Sequence, residues 1–355
     1  MNQMDATTPA VAIIGATGYT GRFVVADVLR RGITPIAIAR NAAALEAANF
    51  DKKVIRRQAT VDEAESLDRA LQGAHAVINT AGPFIETADP VASAALRAKI
   101  HYVDVAAEQV PTGKLFEKFD APARKAGLVV LPAMAFFGGL ADLMVTALMQ
   151  DWDAADSVET LIGFDRWHPT PGTRNTIERK AVGNLVFTGG RLTPAPSSPA
   201  QKHWHFAEPV GDQVVLEMPF SETVLLSRHV KTAEHHNYLT QVAITDVLDP
   251  STPPPKAADA MGRSAQNFVV EVVVTRGDEQ RRACTRGRDG YAVTAPLTGE
   301  AVARLLKGQF RSAGAKAPGE IFDAEALLTA LGPAHATFEV VTPVTARKRA
   351  ERRTQ

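Results

Sequence analysis

Three glycines recur at every third position, Gly15, Gly18 and Gly21, behind the apolar run Val11–Ile14 in the stretch VAIIGATGYTGR. Between a strand and a helix this spacing suits a dinucleotide. The first glycine allows a tight turn, the second lets backbone N–H groups approach a pyrophosphate, and the third lets the helix pack against the strand. The helix N-terminus adds unpaired N–H donors and the positive end of a dipole. Thr17 and Thr20 offer hydroxyl donors, and Tyr19 sits in the same turn. A glycine-rich turn without a ligand would share the composition; the place of this one, after the first strand and before the first helix, points to a cofactor. At the end of the second strand, where an acid would serve the ribose 2′-OH of NAD, the chain has Arg40. A guanidinium fits a 2′-phosphate with two hydrogen bonds, so the expected cofactor is NADP(H). The other reading of Arg40 is a surface arginine at the start of the next helix.

Further groups fall at strand ends and turns. Asp104 and Glu108 follow the fifth strand, facing the same crevice; a carboxyl there can hold a substrate amine or act as general acid, or can simply cap the turn. His168 and Arg174 lie in a Pro/Gly-rich turn, WHPTPGTR, leading into a helical stretch. Arg174 can bind a carboxylate or phosphate, or can stand in solvent at a helix start. His203 and His205 share one face of a strand and His235-His236 follow, but no third and fourth ligand stands at metal spacing, so no metal is expected.

The elements that must carry these groups are legible from periodicity. Strands are expected at Val11–Ile14, Pro35–Ala39, Val54–Arg57, His75–Asn79, Tyr102–Val105 and Leu128–Leu131, with helices at Gly21–Arg31, after a Thr60–Glu63 capping box, at Val91–Lys99 behind Asp89-Pro90, and at Lys114–Lys125. Such alternation, with strands apolar on both faces, predicts a Rossmann-type doubly wound parallel sheet. After residue 150 the texture changes to longer strands, Val158–Phe164, Val214–Met218, Leu239–Val247 and Phe268–Val274, separated by Pro-rich loops. These predict a second α+β domain on a mostly antiparallel sheet. Helical patterns return at Gly299–Leu306 and Asp323–Leu331. The expected division is residues 1–150, a dinucleotide-binding domain; 151–295, a substrate and dimerisation domain; and 296–355, helices returning to the first domain plus a tail.

Composition narrows the class. Of 355 residues, 45% are hydrophobic, and Lys+Arg balances Asp+Glu at 39 each, so no global field points to nucleic acid. The single cysteine, Cys284, excludes an internal disulfide and fits a reducing compartment; with no basic, apolar leader in MNQMDATTPA, the expected location is cytoplasmic. The apolar run Leu128–Met149 is broken by Pro132, Gly138-Gly139 and Asp142, and reads as a buried strand and helix, not a membrane span. The basic end Ala346–Gln355 reads as a solvated tail.

The chain resembles the saccharopine dehydrogenase-like NAD(P)-dependent oxidoreductases across nearly its whole length. The likeness is carried by GATGYTGR from Gly15, NTAGPF from Asn79, HYVDVAAE from His101 and GYAVTA from Gly290. It implies a Rossmann domain, an inserted mixed substrate domain that closes over a small-molecule substrate near His168 and Arg174, and a homodimer. It places Ala81, Gly82, Pro83 and Phe84 on the nicotinamide-ribose side of the crevice; the other reading of this Gly-Pro stretch is a simple strand-exit turn. Where relatives carry a Gly-Phe-Asp-Ser-Val-Pro-like stretch this chain has MAFFGGL from Met134, so the resemblance extends to fold and cofactor but not to substrate. Two rival families fail on named residues. Short-chain dehydrogenases need Tyr-x-x-x-Lys, but Tyr19, Tyr102, Tyr238 and Tyr291 are followed by Phe23, Ala106, Val242 and Ala295. Semialdehyde reductases need a mid-chain nucleophilic cysteine, and Cys284 comes late. The expected function is an NADPH-dependent reductase passing hydride to a C=N or activated C=C bond; the alternative is a non-catalytic NADP(H)-binding regulatory protein on the same scaffold.

Overall fold

Short apolar runs separated by amphipathic helices bury both faces of a strand only in a parallel sheet covered by crossover helices. The computed structural model, which describes residues 8–178 and 184–341, has that arrangement in its first part. In chain order this part comprises β1 (Ala10–Ile14), α1 (Tyr19–Arg30), β2 (Thr34–Ala39), α2 (Ala42–Ala47), β3 (Ile55–Gln58), α3 (Ala64–Ala70), β4 (Ala76–Asn79), α4 (Phe84–Ala98), β5 (His101–Asp104), α5 (Gln109–Ala126), β6 (Val129–Leu131) and α6 (Gly139–Met149). The sheet runs β3-β2-β1-β4-β5-β6, every pairing parallel, with the order reversing between β1 and β4. An open sheet binds ligands outside the carboxyl ends of its strands at such a reversal.

The second part follows with β7 (Ala155–Phe164), α7 (Pro171–Glu178), β8 (Leu185–Thr188), β9 (Arg191–Pro194), β10 (Gln201–His205), β11 (Asp212–Glu217), α8 (Ser221–Leu226), β12 (Thr232–Thr240), α9 (Gln241–Leu248), β13 (Asn267–Arg276) and β14 (Glu279–Arg288). The chain closes with α10 (Gly290–Leu306), β15 (Gly314–Ala315), α11 (Pro318–Ile321), α12 (Ala324–Ala330), α13 (Gly332–His335) and β16 (Ala336–Val341). The second sheet runs β10-β11-β12-β7-β13-β14-β16, with β8 and β9 attached beside β12. It is antiparallel except where β12 meets β7. The β-branched β13 is an interior strand, paired on both edges by β7 and β14, so any pairing between copies of the chain has to use other strands.

Several boundaries differ from expectation, each for a local reason. Helix α4 starts at Phe84, so Asp89 and Pro90 lie inside it; the Phe84 N–H donates to Glu108 Oε1 at 2.9 Å, and this cap starts the helix about two turns early. The Thr60 hydroxyl bonds Asp62 and not a helix N–H, its own N–H donates to Ser66 Oγ, and α3 begins after Glu63 without a side-chain cap. Of the expected strand Leu239–Val247, only Leu239 and Thr240 are extended. Ala243 and Val247, four residues apart and both buried, give the rest a helical face. The expected boundary at residue 295 falls within α10, whose N-terminal half carries the GYAVTA motif. Beyond it the chain serves both sheets: β15 extends the parallel sheet beside β6, and β16 pairs with β14. Helix α6 is buried along nearly its whole length, and among the described residues no helix is long and apolar enough to cross a membrane. The basic tail and the first seven residues lie outside the described residues.

Candidate functional site

The glycine turn is built as three separate constraints. Gly15 has φ +79°, a conformation that L side chains rarely adopt, and a Cβ there would lie 2.9 Å from Ala81 N. A Cβ on Gly21 would overlap Gly15 O, so α1 could not pack this close to β1. Gly18 is different. It has ordinary extended geometry (φ −69°, ψ 166°), is exposed, and a Cβ there would meet only Gly15 O, at 3.2 Å. The backbone there does not require a glycine, and a Cβ would need Gly15 O to give by only a few tenths of an ångström; an anion approaching the N-terminus of α1 requires more. The first turn of α1 carries no acid to repel one. Thr17 borders the turn, its carbonyl accepting from Arg22 Nε, while Thr20 faces the cleft. Tyr19 does not turn to the phosphate side: its hydroxyl donates to Asp289 Oδ2 at 2.6 Å, and its ring meets Tyr291 edge-on, tying the glycine turn to the start of α10.

Arg40 stands exposed at the carboxyl end of β2, and among the described residues its guanidinium has no partner. Across the sheet reversal, Ala81 N donates to Asn79 Oδ1 and Thr87 Oγ1 to Ala81 O, which fixes the turn that leads through Gly82 and Pro83 to Phe84. Gly82, Pro83 and Phe84 line a cleft that also takes in Thr20 and Thr80.

This cleft opens into a cavity of about 350 Å³ between the two sheets. Its walls are aromatic. Phe164 and Trp167 stack 5.5 Å apart at 9°, and Phe137 packs on Phe220 at 4.3 Å. Trp167 Nε1 donates to Tyr291 Oη at 2.9 Å, Thr170 N does so at 3.3 Å, and Thr173 Oγ1 lies 2.8 Å away. With both lone pairs of Tyr291 Oη engaged by donors, the phenol's own proton is what it can offer, to Thr173 or to a ligand oxygen. Burial holds the phenol neutral by raising its pKa.

The four groups expected to act on substrate are placed unequally. Only Glu108 lines the cavity; burial raises its pKa, the Phe84 amide pulling the other way, and its oxygens accept from Phe84 N and Ala107 N. Asp104 does not face the crevice. It is fully buried and accepts from Tyr102 Oη (2.8 Å), Ala106 N (3.0 Å) and Ala133 N (2.7 Å), pinning the ends of β5 and β6 together. Desolvation pushes it up to about 6 against those bonds. Arg174 clamps the C-terminal end of α9 through the carbonyls of Val247, Asp249 and Thr252, engaging three of its five N–H donors there. His168 bonds Gln266 Oε1 through its backbone, and its side chain is not part of the wall. Among the described residues no three His, Cys, Asp or Glu side chains gather as a metal would require.

The aromatic lining and the Tyr291 hydroxyl were not singled out by spacing. The one available signal was the Phe136-Phe137 pair inside the stretch that departs from the family pattern. Gln109 was missed as well; it bonds Leu185 N and O and Phe220 O, fastening α5 to the second sheet.

Comparison with known proteins agrees with this geometry. Residues 11–131 match the saccharopine dehydrogenase NADP binding domain. An Arabidopsis thaliana protein named as a "probable mitochondrial saccharopine dehydrogenase-like oxidoreductase" is 22% identical over 192 residues, 49% of this chain and 42% of that one, so the match spans about two fifths of the relative's length. The apo structure of saccharopine dehydrogenase (L-Glu forming) from Saccharomyces cerevisiae superposes with a TM-score of 0.65 at 12% identity, covering 94% of this chain and all of that one, which establishes the shared fold. Residues 11–131 are thus similar to a saccharopine dehydrogenase NADP binding domain, and the chain joins them to a second, mostly antiparallel sheet in a fold shared with saccharopine dehydrogenase.

Proposed function

We propose that the protein is an NADPH-dependent reductase that passes hydride to a C=N or activated C=C bond of a small substrate. The observation that carries this reading is the continuity of the cleft: Thr20, Thr80 and the Gly82–Phe84 turn on the cofactor side share one cavity with the aromatic wall of Phe164, Trp167 and Tyr291. NADPH, when bound, supplies the hydride. The chain's own groups do the rest. The N–H groups around Gly18 and the N-terminus of α1 take the pyrophosphate, and Arg40 takes the 2′-phosphate. The aromatic wall excludes water from the acceptor, and Tyr291 offers a neutral hydrogen bond. Asp104 and Arg174 act at one remove, by holding the loops that shape the wall. The family of NADP-binding oxidoreductases supports the redox class.

The test is NADPH consumption at 340 nm against a panel of imines, keto acids with amines, and enones. The expected result is turnover with at least one class. Tight NADPH binding with no turnover across the panel would instead favour a regulatory protein on this scaffold.

A further inference from the structure

The cavity's wall narrows the substrate, given the reductase reading above. Among its described lining residues the only charged one is Glu108, and both Glu108 oxygens already accept backbone N–H bonds. Among the described residues no lysine, arginine or histidine lines it. An imine derived from an amino acid brings at least one carboxylate, and an unpaired carboxylate in an apolar cavity bears a heavy desolvation cost. Neutral donors, by contrast, are present on one wall. Gln266 is 3% exposed and lines the cavity; its Oε1 accepts from His168 N, which fixes the amide's orientation, and its Nε2 has no partner among the described residues. A buried donor left unpaired in a native protein calls for a partner that the protein alone does not supply. Tyr291 lines the same cavity, its hydroxyl 2.8 Å from Thr173 Oγ1, so that its proton goes to Thr173 or to a ligand oxygen, and Gln266 O accepts from the amide of Asp289, two residues before Tyr291.

We infer that the aromatic cavity binds a neutral, apolar carbonyl compound with its oxygen on Gln266 Nε2 and Tyr291 Oη, and that the bond reduced is a C=C conjugated to that carbonyl. NADPH, held by the glycine turn and Arg40, would supply a hydride to the β-carbon as the π bond there breaks. The displaced electron pair moves onto the carbonyl oxygen, giving an enolate held by the two donors. A proton from water then adds at the α-carbon. The balance is enone plus NADPH plus one proton giving saturated ketone plus NADP⁺. Reduction of the carbonyl itself would leave an alkoxide that needs a stronger acid, and no lysine or histidine among the described lining residues is placed to make Tyr291 one.

The experiment is calorimetric titration of the full chain, with and without NADP⁺, using three probes: 4-phenyl-3-buten-2-one, the hydrocarbon 1-phenyl-1-butene, and saccharopine as a carboxylate-bearing amine. The enone is expected to bind about ten- to hundredfold more tightly than the hydrocarbon, because only the enone pairs the buried donors, and saccharopine is expected not to bind. Gln266→Glu keeps the acceptor for His168 N but replaces the donor; it should erase most of the enone's advantage while leaving the dissociation constant for NADPH unchanged. Equal binding of enone and hydrocarbon, or tighter binding of saccharopine, overturns the inference, and the wild-type comparison decides this without any variant. Enone binding without NADPH consumption would leave the cavity assignment standing and bring down the hydride reading alone.

Discussion

At the residue scale, three glycines that look alike in sequence answer to different physics. Gly15 and Gly21 are held by the fold: one by a left-handed backbone beside Ala81 N, the other by the overlap a Cβ would make with Gly15 O. Gly18 is held by neither. Gly18→Val should therefore lower NADPH affinity at least tenfold while leaving thermal stability close to wild type, whereas Gly21→Ala should destabilise by about 1–3 kcal/mol through overpacking. Fluorescence titration with NADPH and thermal unfolding of both variants check the contrast, and a Gly18→Val protein that binds NADPH normally would remove the pyrophosphate assignment. Arg40 makes the second prediction. A charge-assisted bond to the 2′-phosphate is worth about 1.5–3 kcal/mol, a roughly 10- to 150-fold preference for NADPH over NADH. In Arg40→Asp the carboxylate repels the phosphate and accepts from the ribose diol, so the preference should reverse when both dissociation constants are measured. A mutant that keeps its NADPH preference would make Arg40 a plain surface residue.

At the element scale, α1 and α10 meet face to face and join the glycine turn to the C-terminal part of the chain. Their contact is close because of Gly299, where a Cβ would overlap Asp27 Oδ2. Asp27 is buried and pairs with Arg30 and Arg31, and Arg31 continues to Glu300 at 2.6 Å and to Pro296 O. Gly299→Ala should cost about 1–3 kcal/mol and weaken NADPH binding by tilting α1, read from thermal unfolding and the same titration. A variant as stable as wild type would show that the two helices have room to part. This contact was not legible in the sequence, where Gly299 reads as a helix start, because its meaning lies in a partner 272 positions away. What was legible is local. β1, β2 and β4 were placed within a residue or two by their apolar runs, and the Asp323 cap of α12 bonds Ala326 N as its position predicts. The failures share one cause, a tertiary partner that overrides a local signal. Asp89-Pro90 reads as a helix start until Glu108 caps the helix at Phe84, and Arg174 reads as an anion site until the end of α9 arrives to take three of its donors. The glycine turn was readable because its chemistry is written in consecutive residues. The substrate wall was not, since Phe137, Trp167, Phe220 and Tyr291 come from four separate segments.

At the scale of the whole molecule, α8 is the wedge between the two sheets. Ser221 N bonds Ala107 O, Ser221 Oγ bonds Ala106 O and Phe137 O, Leu225 lies in the core of the parallel sheet and Leu226 in the core shared with the second. The next residue along from Ser221 is Glu222, fully buried, with neither carboxyl oxygen hydrogen-bonded among the described residues. Burial pushes its pKa from 4.5 up to about 8, the nearby amides of Glu222 and Gly138 offsetting only part of that. Below pH 4.5 the folded and unfolded chains both hold this proton, and it has no effect on stability. From there to about pH 8 the unfolded chain releases the proton and the folded chain keeps it, so the native state loses about 1.4 kcal/mol for each pH unit of the interval. Glu222→Gln keeps the volume and removes the ionisation. The variant should match wild type in denaturant midpoint at pH 4 and exceed it by a few kcal/mol at pH 7.5, the gap widening steadily between. A gap of the same size at both pH values would mean that Glu222 acts through packing alone, and a variant less stable at pH 7.5 would mean that the carboxylate is paired and charged in the native wedge.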